Sequence, residues 1–162
     1  MPIDPTSPPP GSRPHMPGYG VPKSKKGLLP WTHVLTRLES AAHYWLATAS
    51  RTGRPRARPV DGVVVDGTLY FSGGEVGWVK DLRENPRVSV HLESADDVVI
   101  LEGRVEWVQA PPTRVERVNE VSRQTHGWDT LPGWGLKPDV VYAWTNLGRD
   151  PTRWADRSLP SS

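Results

Sequence analysis

The sequence predicts a mainly β protein with helices, an α+β fold whose antiparallel strands close or nearly close into a barrel. Short apolar runs of strand length recur between Tyr44 and Thr145, several alternating with polar residues, and tight-turn signals such as Arg51-Thr52-Gly53-Arg54 and Asp66-Gly67 join them. Only a few stretches show helical spacing instead. Closure is expected because five or six antiparallel strands left open would expose unpaired edges.

At 162 residues there is room for one domain with a continuous core. The reading divides the chain into a flexible Pro-rich tail, residues 1–29, and a barrel domain, residues 30–162, that ends in a strand and a short tail. Nine of the 18 prolines fall within the first 30 residues, among Gly, Ser and Lys and without apolar periodicity. Such a segment cannot bury enough surface to offset its ordering entropy. Within it Gly11–Met16, GSRPHM, resembles the scar left by a cleaved tag.

The elements follow in order. Behind Pro30, the residues Trp31, Val34, Leu35, Leu38 and Ala42 fall at helical spacing. Tyr44 to Ser50, Pro55 to Val65 and Thr68 to Ser72 read as three strands of a meander. Then come Ser72-Gly73-Gly74, a helix of about two turns, and a strand launched by Asn85-Pro86. A glycine pair between strand and helix lets backbone approach a bound group, and the helix start offers N–H groups to an anion, so this is a candidate phosphate cradle. Arg87 to Glu93 and Val98 to Gln109 form a second hairpin, Pro111-Pro112 begins a helix running to about Gln124, Gly127 to Pro138 is a loop, and Asp139 to Thr145 is the last strand.

Composition narrows function. Twenty Lys and Arg stand against 18 Asp and Glu without a basic run, so nucleic acid is not the expected partner. With no cysteine, disulfides, thiolate nucleophiles and zinc-thiolate sites are excluded. No apolar stretch is long enough for a membrane helix and no secretory signal opens the chain, which sets the expectation of a cytoplasmic protein. The eight tryptophans suit a core, a subunit contact or stacking on a flat ligand. Gly-x-Ser-x-Gly, His-Glu-x-x-His, P-loop and dinucleotide motifs are missing, and His15, His33, His43, His91 and His126 lack metal-ligand spacing, so no metal site is expected. An enzyme with so little chemistry of its own would borrow it from a cofactor.

Taken together, Ala47-Thr48, Gly53-Arg54-Pro55, Leu69-Tyr70-Phe71-Ser72, Leu82, Asn85-Pro86-Arg87-Val88 and Glu102-Gly103 resemble the pyridoxamine 5'-phosphate oxidase-like family of flavin- and deazaflavin-binding split β-barrels. The closing Tyr142-Ala143-Trp144-Thr145 and Thr152-Arg153-Trp154 are similar to the ends of many actinobacterial members. The resemblance implies a homodimer with cofactor sites at the subunit interface, binding FMN or the deazaflavin coenzyme F420, and haem in some branches. By the same resemblance Arg56 matches a phosphate-binding arginine, Arg58, Pro59 and Val60 a strand beside the flavin ring, and Phe71 and Ser72 a pair touching phosphate and ribityl groups; Gly73 belongs to the cradle.

The departures from the family pattern are specific. Val76-Gly77-Trp78 stands where the oxidases carry a Ser-Arg-Lys phosphate clamp, and Asp61 replaces a basic residue. Trp78 and Lys80 lie roughly 200 degrees apart on the helix, so only one can face the site; Trp78 lining it with Lys80 in solvent is the reading carried forward. Arg56 and Arg58 share one strand face, where they meet a ligand or water. Arg153 beside Trp154 either clamps an anion or pairs with a carboxylate. The expectation is a flavin- or deazaflavin-dependent oxidoreductase acting on a small organic molecule, with a non-catalytic ligand carrier on the same scaffold as the alternative. No residue is singled out as catalytic acid or base.

Overall fold

A computed structural model describes residues 9–109 and 111–155. Among the described residues three helices and seven strands follow in the order α1 (Trp31–Ser40), β1 (His43–Ala49), β2 (Pro55–Val65), β3 (Thr68–Phe71), α2 (Gly77–Glu84), β4 (Arg87–His91), β5 (Val98–Val108), α3 (Pro112–His126), β6 (Gly133–Trp144) and β7 (Thr152–Ala155). The strands run β3-β2-β1-β4-β5-β6-β7, and a β3–β6 pairing closes the first six into an antiparallel barrel with β7 outside. This is the split β-barrel class expected from the sequence.

Alternation decides which side chains enter. Tyr44, Leu46, Val60, Leu69, Phe71, Val88, Val90, Leu101, Val105, Leu136 and Val141 fill the barrel, and α1 and α2 seal it with Trp31, Val34, Leu38, Trp78, Val79 and Leu82. The tight turn into β3 uses Asp66 at φ 49° and Gly67 at φ 71°, the pair of positive φ values that matches the twist of a two-residue hairpin. Between Glu102 and Gly103 the β5–β6 register slips, leaving Asp139 unpaired in a bulge. A Cβ on Gly103 would overlap the Lys137 carbonyl and the Pro138 backbone, so only glycine fits there.

Three expectations are corrected. The span from Gly127 to Pro138, read as a loop, is half strand: β6 begins at Gly133, and Trp134 and Leu136 point into the barrel, because the glycines that mimicked a loop give β3 room to pair. Arg153-Trp154 lies in a strand, β7, that four residues of sequence did not reveal. The tail read as flexible is tied down over residues 11–29. Ser12 and Arg153 exchange both backbone hydrogen bonds, at 2.9 and 2.8 Å. Arg13 donates from Nε to the Ser24 carbonyl at 2.9 Å and from its terminal nitrogens to the carbonyls of Pro151 and Lys26 at 2.9 and 2.6 Å. The Leu29 N–H donates to Thr152 Oγ1 at 2.8 Å, and Gly11 packs against Trp154. This strap covers the outer edge of β7, which would otherwise be unpaired. Gly11–Met16 thus contributes Ser12 and Arg13 to these contacts; residues 1–8 lie outside the described residues.

Candidate functional site

Two regions concern function. The first is the cradle between β3 and α2. Arg56, Arg58 and Val60 alternate onto the inner face of β2, as the pattern required, while Pro55, Ala57 and Pro59 face outward and are exposed. Arg56 donates from Nε to Asp81 Oδ2 at 2.7 Å, a pair in which the carboxylate is 6% exposed and the guanidinium 32%. The pair orients the arginine toward the start of α2, where a Cβ on Gly77 would stand 3.5 Å from an Arg56 terminal nitrogen. The Arg58 guanidinium lies over the Trp78 ring, 5.8 Å from its centroid, and its buried Nε has no hydrogen-bond partner.

Trp78 itself is core. It is 7% exposed, packs on Phe71 at 6.4 Å between centroids, and occupies the space a side chain on Gly73 would need. Lys80 is exposed. Trp78 therefore supports Arg58 from below, and the helix presents Lys80 to solvent. Ser72 is half-buried, and Gly73 and Gly74 are open at the surface. Helix α2 has no side-chain cap and no acid in its first turn; Asp81 already offsets the Arg56 charge beside it, so the favourable field for an anion comes from the helix start and Arg58. The orphaned Arg58 Nε fits the same demand: residues of this cradle suit a phosphate group, with Arg58, Arg56 and the α2 amides as its holders.

Asn85-Pro86, part of the family pattern, works as a joint. The Asn85 side chain donates to the Ala49 carbonyl at 3.1 Å and accepts from the Arg87 N–H at 3.3 Å, which fixes the α2–β4 corner against β1.

The second region is on the outer face of the sheet. A groove of about 490 Å³ is floored by Ala47 and Ala49 of β1 and Ser89 of β4, with Arg87, Glu102, Asp139 and Arg153 around it. Small residues at alternate positions of β1 leave the space. The β6 bulge brings Asp139 to its wall, so sequence spacing alone could not reveal it. Among the residues expected at the site, only Arg153 lines this groove. Its neighbour Trp154 points the other way, 2% exposed and edge-on to Trp31 at 5.3 Å; Phe71 and Val60 are likewise core. Pro59 lies outside, across from Trp45 in the β1–β2 register. The expected set thus divides between two faces of the sheet.

Asp150 holds the turn into β7. Burial acts to raise its pKa, yet the Thr145 hydroxyl, the backbone N–H groups of Asn146 and Thr145, and Arg149 draw it down to about 2. Burial raises the Tyr44 phenol well above its usual range, and the hydroxyl donates to the Leu38 carbonyl at 2.6 Å, which marks it as structural. No group of three metal-ligating side chains occurs among the described residues.

Comparison with known proteins now adds to this geometry. The Pyridoxamine 5'-phosphate oxidase family profile matches residues 31–146. The chain belongs to that family. A FAD-binding protein from Mesorhizobium loti matches with a TM-score of 0.58 and 22% identity over 80% of this chain and 96% of its own. A conserved hypothetical protein from Mycobacterium tuberculosis matches with a TM-score of 0.59 and 22% identity over 76% of this chain and 89% of its own. A heme binding protein from Mycobacterium smegmatis has a TM-score of 0.55 and 20% identity over 76% of this chain and 58% of its own. At such identities these structures establish the fold. No curated protein matches the sequence.

Proposed function

We propose that the protein is a cytoplasmic oxidoreductase that passes a hydride between FMN or coenzyme F420 and a small organic substrate, working as a homodimer. The observation that carries the reading is the unpartnered Arg58 Nε beside an uncapped α2 N-terminus in a chain of this family. When bound, the flavin or deazaflavin ring supplies the redox chemistry. The chain's own part is to hold the phosphate with Arg58, Arg56 and the α2 amides, and to offer the outer groove as a partly sheltered space. Dimerisation is supported by Trp45, 40% exposed on the outer sheet face and stacked on His91 at 6.4 Å, an aromatic surface suited to a subunit contact.

A second reading, a non-catalytic binder of the cofactor, draws on one feature: Asp81 already engages Arg56, and Val76-Gly77-Trp78 provides no further side-chain cation. Titration of the full chain with each cofactor, followed by the visible spectrum, tests binding. Arg58→Ala and Arg56→Ala are each expected to weaken binding at least tenfold, the former more because its charge is not already paired, and Lys80→Ala by less than twofold. If the reduced, bound cofactor passes its hydride to acceptors no faster than free cofactor does, the carrier reading replaces the enzyme. A stable monomer in solution at micromolar concentration would remove the dimer.

A further inference from the structure

Beside the outer groove a second cavity, of about 280 Å³, lies between the N-terminal strap and the outer face of β5 and β6. Ile100, Tyr142 and Trp144 form its sheet wall, and Pro14, His15 and Met16 its strap wall. Tyr142 and Trp144 are two residues apart on one strand, so their rings stand side by side on the same face. Glu102 and Arg153 line both this cavity and the larger groove, so the two spaces adjoin.

The strap wall is fixed rather than draped. Pro14 is buried, directly after the residue whose guanidinium binds three carbonyls and two after the Ser12 bridge. The volume lies just under the range of about 300 to 1,000 Å³ typical of drug-sized ligands, which limits an occupant to one or two rings. Aromatic and apolar walls select a flat, apolar body. At the shared mouth the opposite charges of Glu102 and Arg153 largely offset each other, so nothing there compensates the desolvation of a charged ligand, and a neutral molecule with a hydrogen-bonding oxygen fits best.

We propose that this cavity binds a neutral planar aromatic compound of one or two rings carrying a hydroxyl or carbonyl, of the phenol or quinone class. Its role as a substrate pocket rests on the flavin reading above; the binding itself does not. Calorimetric titration of the full chain with 2-naphthol tests it, and saturable binding of one molecule per chain is the expected result. Trp144→Ala and Met16→Asp should each weaken it at least tenfold. The anion 2-naphthoate should bind at least tenfold more weakly than 2-naphthol, and Glu102→Gln should narrow that gap. Absence of saturation at millimolar 2-naphthol in the parent, or unchanged affinity in both variants, overturns the proposal. Should Trp144→Ala fail to fold, Met16→Asp on the strap decides alone. Cofactor titration separates the two readings: a parent that binds cofactor but not 2-naphthol loses this pocket, whereas one that binds 2-naphthol but neither cofactor loses the flavin reading and keeps the pocket.

Discussion

On the inner face of β2, Arg56 and Arg58 lie against a packed helix, with Asp81 holding one and Trp78 supporting the other. On the outer face of β1 and β4, Ala47 and Ser89 floor an open groove with little packed above them. These neighbouring strands belong to one sheet, and the side on which a residue falls decides what it contributes. Inside, a candidate ligand-binding arginine is oriented by groups that also hold the fold, so affinity and stability are coupled there. Outside, the sheet presents shape and charge at little structural cost, which lets that face vary without unfolding the barrel.

The largest test of this contrast is Trp78→Ala. It should cost about 3 to 5 kcal/mol, as large core truncations do, and lower the melting temperature accordingly. A loss below 1 kcal/mol would show that the inner face is not packed and would remove the coupling. Asp81→Ala comes next, at about 2 to 3 kcal/mol, below the range for a fully buried pair because Arg56 is partly exposed. Removing Arg56 in the same chain should recover part of that loss, and the double-mutant cycle measures how much.

Asp150 carries the contrast to the edge of the sheet. Its folded pKa, about 2, lies below the unfolded carboxylate value near 4, so its contribution is present above pH 4 and is lost as pH falls through 2. The size is on the order of 2 kcal/mol. Urea midpoints measured across that window should fall in the parent more than in Asp150→Asn, and equal slopes would show that the carboxylate is not held as described. Smallest of all is Ser89→Ala on the groove floor, expected within about 0.5 kcal/mol in the same measurement. A larger loss there would mean that the outer face bears load.

Sequence alone determined most of the barrel. Alternation in β1, β2, β4 and β5, the Asp66-Gly67 turn and the spacing of α1 are local signals, and each survives because its neighbours in space agree with its neighbours in sequence. The shared face of Arg56 and Arg58 was legible for the same reason. What tertiary structure decided is everything that depends on a distant partner. Gly133 and Gly135 read as loop residues until β3 and β5 pair with them, and β7 is a strand because it has β6 on one side and Ser12 on the other. Trp78 supports the arginine from the core because the absence of a Gly73 side chain gives it room, and Arg56 meets Asp81 across 25 positions of chain. Glycines and short polar segments carry little periodicity of their own. Their conformation is set by the surfaces that close around them, and those surfaces form only when the barrel does.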